Sequence, residues 1–174
     1  VDNSDNVLEL CCGNAAVSLI LSYYYPNKIY SFEIQEEIYK LALQSVHINS
    51  KENQIIVVND DVNNIKNYFP GNNFCVIVAN PPYFKYKETS IINDNKEKSI
   101  ARHEICLNLE GLFKIVSYAL KNNGCFYLVH LPERLEEILY LCEKYHLTAK
   151  KVQFVYTKND KSANIVLIKC VKGA

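Results

Sequence analysis

Asn80-Pro81-Pro82-Tyr83 is the segment of this sequence whose residue types can do chemistry together. Two successive prolines fix two φ angles and remove two backbone donors, which leaves carbonyl oxygens in a stiff turn beside the Asn80 amide. That set of acceptors suits an amino group carrying two hydrogens. The exocyclic amine of adenine is such a group, and a poor nucleophile, because its lone pair is delocalised into the ring. If Asn80 Oδ1 and the Pro81 carbonyl each accept one N–H, the nitrogen is held toward tetrahedral geometry with its lone pair aimed at an electrophile. Tyr83 could then stack on the base. A sulfonium methyl is an electrophile that transfers in line with neither a metal nor a covalent enzyme intermediate. A polar turn that merely ends a strand is the structural alternative, and the position of the motif after a fourth strand favours the functional reading.

A second candidate lies near the start. Val7-Leu8-Glu9-Leu10-Cys11-Cys12-Gly13-Asn14-Ala15 reads as a strand running into a tight turn that opens a helix. Gly13 would let the backbone approach a ligand, and Glu33, twenty residues later at the end of the next strand, could accept hydrogen bonds from ribose hydroxyls. Cys11 and Ala15 stand where a full G-x-G-x-x-G would carry glycines, so a dinucleotide site is disfavoured. Asp60 and Asp61 follow the third strand, where a carboxylate could meet an adenine amino group or simply cap a solvated turn. His47, His103, His130 and His146 have no ligand-like spacing, and no metal is expected. The seven cysteines include no C-x-x-C pair, which argues against a disulfide framework and a zinc site and fits a reducing cytoplasm.

These turns need a scaffold that places them along one edge. From Val7 to about His130, short β-rich runs alternate with longer segments of helical period, the pattern of an α/β domain with a parallel sheet. Strands are expected at 7–10, 28–34, 55–59, 74–80 and 124–130. The helix after Ile34 would bury Ile38, Leu41, Ala42 and Ser45, and a helix over 103–121 would bury Ile105, Leu109, Leu112, Phe113 and Val116. Pro132 opens a further helix with Leu135, Ile138, Leu139 and Cys142 inward. The runs 151–157 and 165–171 have only a turn-rich tetrapeptide between them, so they must pair antiparallel. Seven strands result, in a mostly parallel sheet with a C-terminal antiparallel hairpin. Pro81–Ala101 reads as a mobile substrate loop.

The 174 residues suit one domain over 1–174, and 49% apolar against 22% charged residues excludes disorder and low-complexity classes. No run of about eighteen apolar residues marks a membrane span. Nineteen basic and nineteen acidic residues leave no net charge, so any nucleic-acid contact must be local. One candidate patch follows Tyr145, where Lys150, Lys151, Lys158, Lys161, Lys169 and Lys172 are opposed only by Asp160; a solvated strand edge is its plain alternative. No methionine stands at position 1, so a natural N-terminal segment is expected to precede this numbering.

The turn at Glu9–Ala15, the acids Glu33 and Asp61, and Asn80-Pro81-Pro82-Tyr83 together resemble the Rossmann-like class I methyltransferases that modify planar amino nitrogens. Ala101-Arg102-His103-Glu104-Ile105, His130-Leu131-Pro132-Glu133-Arg134-Leu135 and Lys161-Ser162-Ala163-Asn164-Ile165-Val166-Leu167 are similar to the bacterial tRNA1(Val) adenine-37 N6-methyltransferase family. The resemblance implies methyl transfer from S-adenosylmethionine to adenine N6 in tRNA. It implies that Glu9, Cys11, Gly13, Asn14, Glu33, Asp61, Val62 and Asn80 surround the cofactor. Asn80, Pro81, Pro82 and Tyr83 would form the catalytic turn, and Tyr83, Lys85, Arg102 and His103 would meet the RNA. Ala15 departs from a glycine usual in that family. Other amino-nitrogen methyltransferases, acting on a protein glutamine or on a DNA or rRNA base, share the tetrapeptide, and a catalytically silent nucleoside-binding module is the competitor from another class. Oligomeric state leaves no trace in the sequence.

Overall fold

The computed structural model describes residues 5–82, 107–158 and 161–173. Seven strands form one sheet: β1 Asn6–Leu10, β2 Ile29–Phe32, β3 Ile55–Val58, β4 Phe74–Ala79, β5 Leu120–His130, β6 Leu147–Val155 and β7 Ile165–Lys172. Their spatial order is β3-β2-β1-β4-β5-β7-β6. The first five pair in parallel, whereas β7 lies antiparallel between β5 and β6. This is the expected mostly parallel sheet with its C-terminal antiparallel pair. Of the central strands, β4 is wholly apolar and β1 departs from that only at Asn6 and Glu9, because helices cover both of their faces.

On one face, α1 (Ala16–Leu21) and α2 (Glu36–Ile48) enclose a core built on Val7, Ala15, Ile29, Ala42, Val46 and Val76. On the other, α3 (Leu109–Ala119), α4 (Leu135–Lys144) and a 3-10 turn at Val62–Asn67 cover a larger core. Phe113 of α3 meets Phe126 of β5 edge to face, with ring centroids 5.7 Å apart. Asn108 caps α3 by accepting the Gly111 amide at 2.7 Å. Cys142 of α4 and Cys170 of β7, both buried free thiols, touch at 3.3 Å and help seat that helix on the sheet.

Several boundaries differ from the expected ones, each for a tertiary reason. β5 starts at Leu120 rather than Gly124, because fully buried Leu120 pairs across to Phe74 and the α3 period stops one residue earlier. β6 starts at Leu147 rather than Lys151, since Leu147 is buried as well. Pro132 opens only a 3-10 turn, Pro132–Arg134, and α4 follows it, burying Ile138, Leu141 and Cys142 while Leu139 is exposed. In α2 the buried pair is Ala42 and Val46 at i, i+4, which leaves Leu41 49% exposed. Of the expected helix over 103–121, residues 103–106 lie outside the described residues, and the helix runs Leu109–Ala119, starting after its Asn108 cap and giving way to β5; the expected loop beyond Pro82 also lies outside the described residues.

These placements set two opposite outcomes. Phe126→Ala removes a fully buried ring and is expected to lower unfolding free energy by about 3–5 kcal/mol in urea titration. Leu41→Ala, at an exposed helical site, should leave it within about 0.5 kcal/mol. A large loss for Leu41→Ala would mean that α2 is rotated from the orientation described.

Candidate active site

The chain winds from β1 outward through β2 to β3, then returns to β4 on the other side of β1. Connections therefore diverge at the carboxyl ends of β1 and β4, and a crevice opens there. The pocket at that edge is lined by Cys11, Phe32, Glu33, Ile34, Asp61, Val62, Pro82 and Leu107. Apart from Phe32, the last residue of β2, and Leu107, these residues lie just beyond the ends of β1, β2, β3 and β4, so the sheet register sets their spacing. The cavity between these walls measures about 30 Å³.

The turn after β1 is held from behind. Glu9 is 3% exposed, and its Oε2 accepts the Ser18 amide at 3.0 Å as well as the Ser18 hydroxyl. That hydroxyl also meets the Ser31 hydroxyl at 2.6 Å, which joins β1, α1 and β2 in one buried polar chain. Burial pushes the Glu9 carboxyl up to about 7, against the lowering by both Ser18 bonds. Glu9 thus supports the turn from inside rather than lining the pocket.

Glu33 faces the pocket from the end of β2. Its Oε2 accepts the Gly13 amide at 3.0 Å and its Oε1 accepts the Gln35 amide at 2.9 Å, which fixes the carboxylate plane. Gly13 has φ +56°, and a Cβ built there meets nothing within 4 Å, so the space beside its backbone is open to a ligand. Cys11 lines the pocket, its thiol pushed up to about 12 by burial, which removes it as a nucleophile. Asn14 is exposed on the same turn. Asp61 Oδ1 accepts the Asn63 amide at 2.9 Å and so caps the 3-10 turn, while Val62 is buried beneath it. Asp60 turns away, accepting from Asn64 and Tyr68.

Asn80 is exposed immediately past β4, Pro81 is buried and Pro82 forms part of the pocket wall. The structure therefore brings Cys11, Glu33, Asp61, Val62 and Pro82 together, with Gly13 and Asn80 on the same edge. Tyr83, Lys85, Arg102 and His103 lie outside the described residues. Sequence reasoning did not find the apolar walls Phe32, Ile34 and Leu107, nor Ser18 and Ser31. Ile34 was legible as the residue following Glu33; the serines carry no motif. It also gave no role to His130, which ends β5 buried. Its Nδ1 accepts the Leu131 amide at 2.8 Å, so Nε2 carries the proton, and burial pulls its pKa down to about 4. Among the described residues no three His, Cys, Asp or Glu side chains cluster as metal ligands, and no helix is long and apolar enough to cross a membrane.

The buried carboxyl has a pH signature. Between about 4.5 and 7 the folded protein keeps the Glu9 proton that the unfolded chain releases, so the Glu9 contribution to stability falls as pH rises through that window. Relative to wild type, Glu9→Gln should therefore gain on the order of 3 kcal/mol between pH 4.5 and 7.5. His130 acts in the opposite direction below its unfolded value but is common to both proteins, so it cancels in the difference. A pH-independent difference would show that Glu9 is ionised when folded.

Comparison with known proteins agrees with this geometry. The methyltransferase small domain family matches residues 1–155. A tRNA1(Val) (adenine(37)-N6)-methyltransferase of Bacteroides thetaiotaomicron is 30% identical over 170 residues, covering 97% of this chain and 69% of that protein. The Aliivibrio salmonicida protein of the same description is 24% identical over 169 residues, covering 97% and 70%. Among solved structures, geranyl diphosphate C-methyltransferase from Streptomyces coelicolor, in complex with S-adenosyl-L-homocysteine, superimposes with a TM-score of 0.72 at 10% identity. It covers 98% of this chain and 71% of that one, a likeness of fold alone. With its β3-β2-β1-β4-β5-β7-β6 sheet, its edge pocket and these matches, the chain belongs to the methyltransferase small domain family and, within it, to the tRNA1(Val) adenine-37 N6-methyltransferases.

Proposed function

We infer that this chain transfers the methyl group of S-adenosylmethionine to the N6 amino group of adenine 37 in tRNA1(Val). The observation that carries the reading is the position of Asn80-Pro81-Pro82 directly beyond β4, against a pocket whose other wall holds Glu33 and Asp61. The cofactor supplies an electrophilic methyl on a sulfonium sulfur. The residues fit it: Glu33, its carboxylate oriented at the pocket by two backbone amides, would accept from ribose hydroxyls, and the open space beside Gly13 admits the amino-acid end. Ile34 and Val62 line the pocket and would pack on the cofactor's adenine ring, and Asp61 would meet its amino group.

On the substrate side, Asn80 Oδ1 and the Pro81 carbonyl accept the two N6 hydrogens and turn the lone pair toward the methyl carbon. Attack forms the N–CH3 bond as the C–S bond breaks, and the surplus proton on nitrogen passes to water. Two prolines on a buried strand end hold these acceptors in place before the substrate arrives, so little reorganisation accompanies the reaction. Tyr83 is assigned to stack on the base, and Lys85, Arg102 and His103 to meet the RNA. Adenine 37 lies in an unpaired loop, where splaying a base into a pocket costs less than extracting it from a duplex. The six described cysteines are all free thiols, in keeping with the reducing cytoplasm in which tRNA is modified.

Incubation with labelled S-adenosylmethionine and unmodified total tRNA, followed by nucleoside analysis, tests the reaction: N6-methyladenosine should appear. Asn80→Ala should lower kcat by roughly 100-fold or more while the cofactor Kd stays nearly constant. Glu33→Gln should instead weaken cofactor binding by roughly tenfold, the loss of hydrogen bonds to a charged acceptor. Cofactor binding without label in any RNA would move the assignment to a protein glutamine substrate or a silent nucleoside-binding module.

A further inference from the structure

The six lysines after Tyr145 do not form one patch. Lys172 Nζ is half-buried and donates to the Leu120 carbonyl and to Asn72 Oδ1, each at 2.8 Å, so it ties β7 to the start of β5 at the sheet edge farthest from the pocket. Lys169 lies over the Tyr127 ring at 5.7 Å in the middle of the sheet. Lys158 and Lys161 are different. β6 runs in the same direction as β5 because both are antiparallel to β7, so its end, Val155, arrives at the pocket edge. Val166 of β7 pairs with His130, the last residue of β5, and Ile165 pairs with Val155. The described flanks of the β6–β7 turn therefore rise beside the carboxyl end of β5, whose parallel neighbour β4 carries Asn80.

Those flanks are closed by the Asn164 amide donating to the Val155 carbonyl at 2.9 Å and by Thr157 Oγ1 meeting Asn164 Oδ1 at 3.2 Å. They expose Phe154 at 41% and Tyr156 at 55%, together with Lys158 and Lys161. In the sequence from Tyr145 onward the only acidic residue is Asp160, against six lysines. Exposed aromatic rings interleaved with lysines that outnumber the one acid among them, Asp160, match an unpaired nucleic-acid strand, which offers base faces to stack on and phosphates to neutralise.

We propose that Tyr156, Lys158 and Lys161 form the rim on which the RNA loop flanking the target adenine docks, with Tyr156 stacking on an unpaired base and the lysines on phosphates. This rests on the tRNA reading above. It assigns substrate grip to the terminal hairpin and leaves Lys172 a structural part.

The test is tRNA binding and methylation by the full-length protein across a salt series. Lys158→Gln with Lys161→Gln should weaken tRNA binding roughly tenfold at moderate salt and reduce the slope of log affinity against log salt by about two. Tyr156→Ala should weaken binding by roughly tenfold without changing that slope. Both should leave thermal stability and the Kd for S-adenosylhomocysteine unchanged, and Lys28→Gln, the loss of one lysine charge at the opposite end of the strands, should alter neither these nor tRNA affinity. Wild-type methylation of tRNA with affinity and slope unchanged in both variants overturns the docking rim and leaves the reaction standing; the lysines then serve to keep the β6 edge from pairing. No methylation of any tRNA by the wild-type protein overturns the tRNA reading, and the rim with it.

Discussion

One buried carboxyl on the central strand holds the site together. Glu9 sits between β1 and the first turn of α1, where an unsatisfied acid would be costly, and both a backbone amide and a hydroxyl of Ser18 meet it. That contact fixes where α1 starts, and with it the path of Cys11 to Ala15 between strand and helix. The Ser18–Ser31 bond carries the constraint to β2, whose next residues include Glu33. Glu33 in turn takes the Gly13 amide, closing a loop of contacts from strand to turn to strand and back. Removing Glu9 would loosen this circuit at its buried end, although the residue never faces the pocket.

The same turn carries local strain. Cys11, Gly13 and Ala15 all adopt left-handed backbone, at φ 59°, 56° and 64°. For the two non-glycines this costs roughly 1–2 kcal/mol each. Three alternating left-handed residues fold the chain back sharply enough that Ala15 amide reaches the Cys12 carbonyl at 2.9 Å and α1 begins at once. Ala15 is fully buried, so its methyl regains part of that cost in packing. Cys11 has no such compensation from the core: its side chain forms part of the pocket wall, where it narrows the space offered to a ligand.

What the sequence made legible follows from period and punctuation. Long apolar strands bounded by turns were found because burial on both faces leaves little else they could be, and the hairpin because two strands without a crossover have one way to pair. The carboxyl-end residues Cys11, Glu33, Asp61 and Pro82 converge because parallel strands deliver their ends to one edge. Helical stripes were less legible. Leu41 and Leu139 fit a 3.6-residue period as well as Val46 and Leu141 do, and only the crossing angle of each helix on the sheet decides which residue is buried. Ser18 and Ser31 were invisible for a related reason, since a serine facing a buried acid has the same letter as one facing water. The lysine patch misled by proximity in sequence: Lys161 precedes β7 and Lys172 ends it, so one strand length puts them at opposite ends of the sheet.

That division has a physical consequence for selectivity. The pocket between β1, β2 and β3 is small, acidic and apolar, suited to a nucleoside cofactor and hostile to phosphate; Glu33 and Asp61 would repel an RNA backbone entering there. The terminal hairpin, on the other side of β4, carries exposed rings and an excess of lysines over its one acid, Asp160. A chain with no net charge can therefore discriminate between two adenine-bearing ligands by position along one sheet edge, the cofactor drawn to the acidic flank and the polyanion to the basic one. Asn80 follows β4 between the two flanks, where on the proposed reading a base extended from a loop held on one side would meet a methyl presented from the other. The sheet order thus sets the geometry of transfer, because β4 is the strand that separates the flank built by β1–β3 from the flank built by β5–β7.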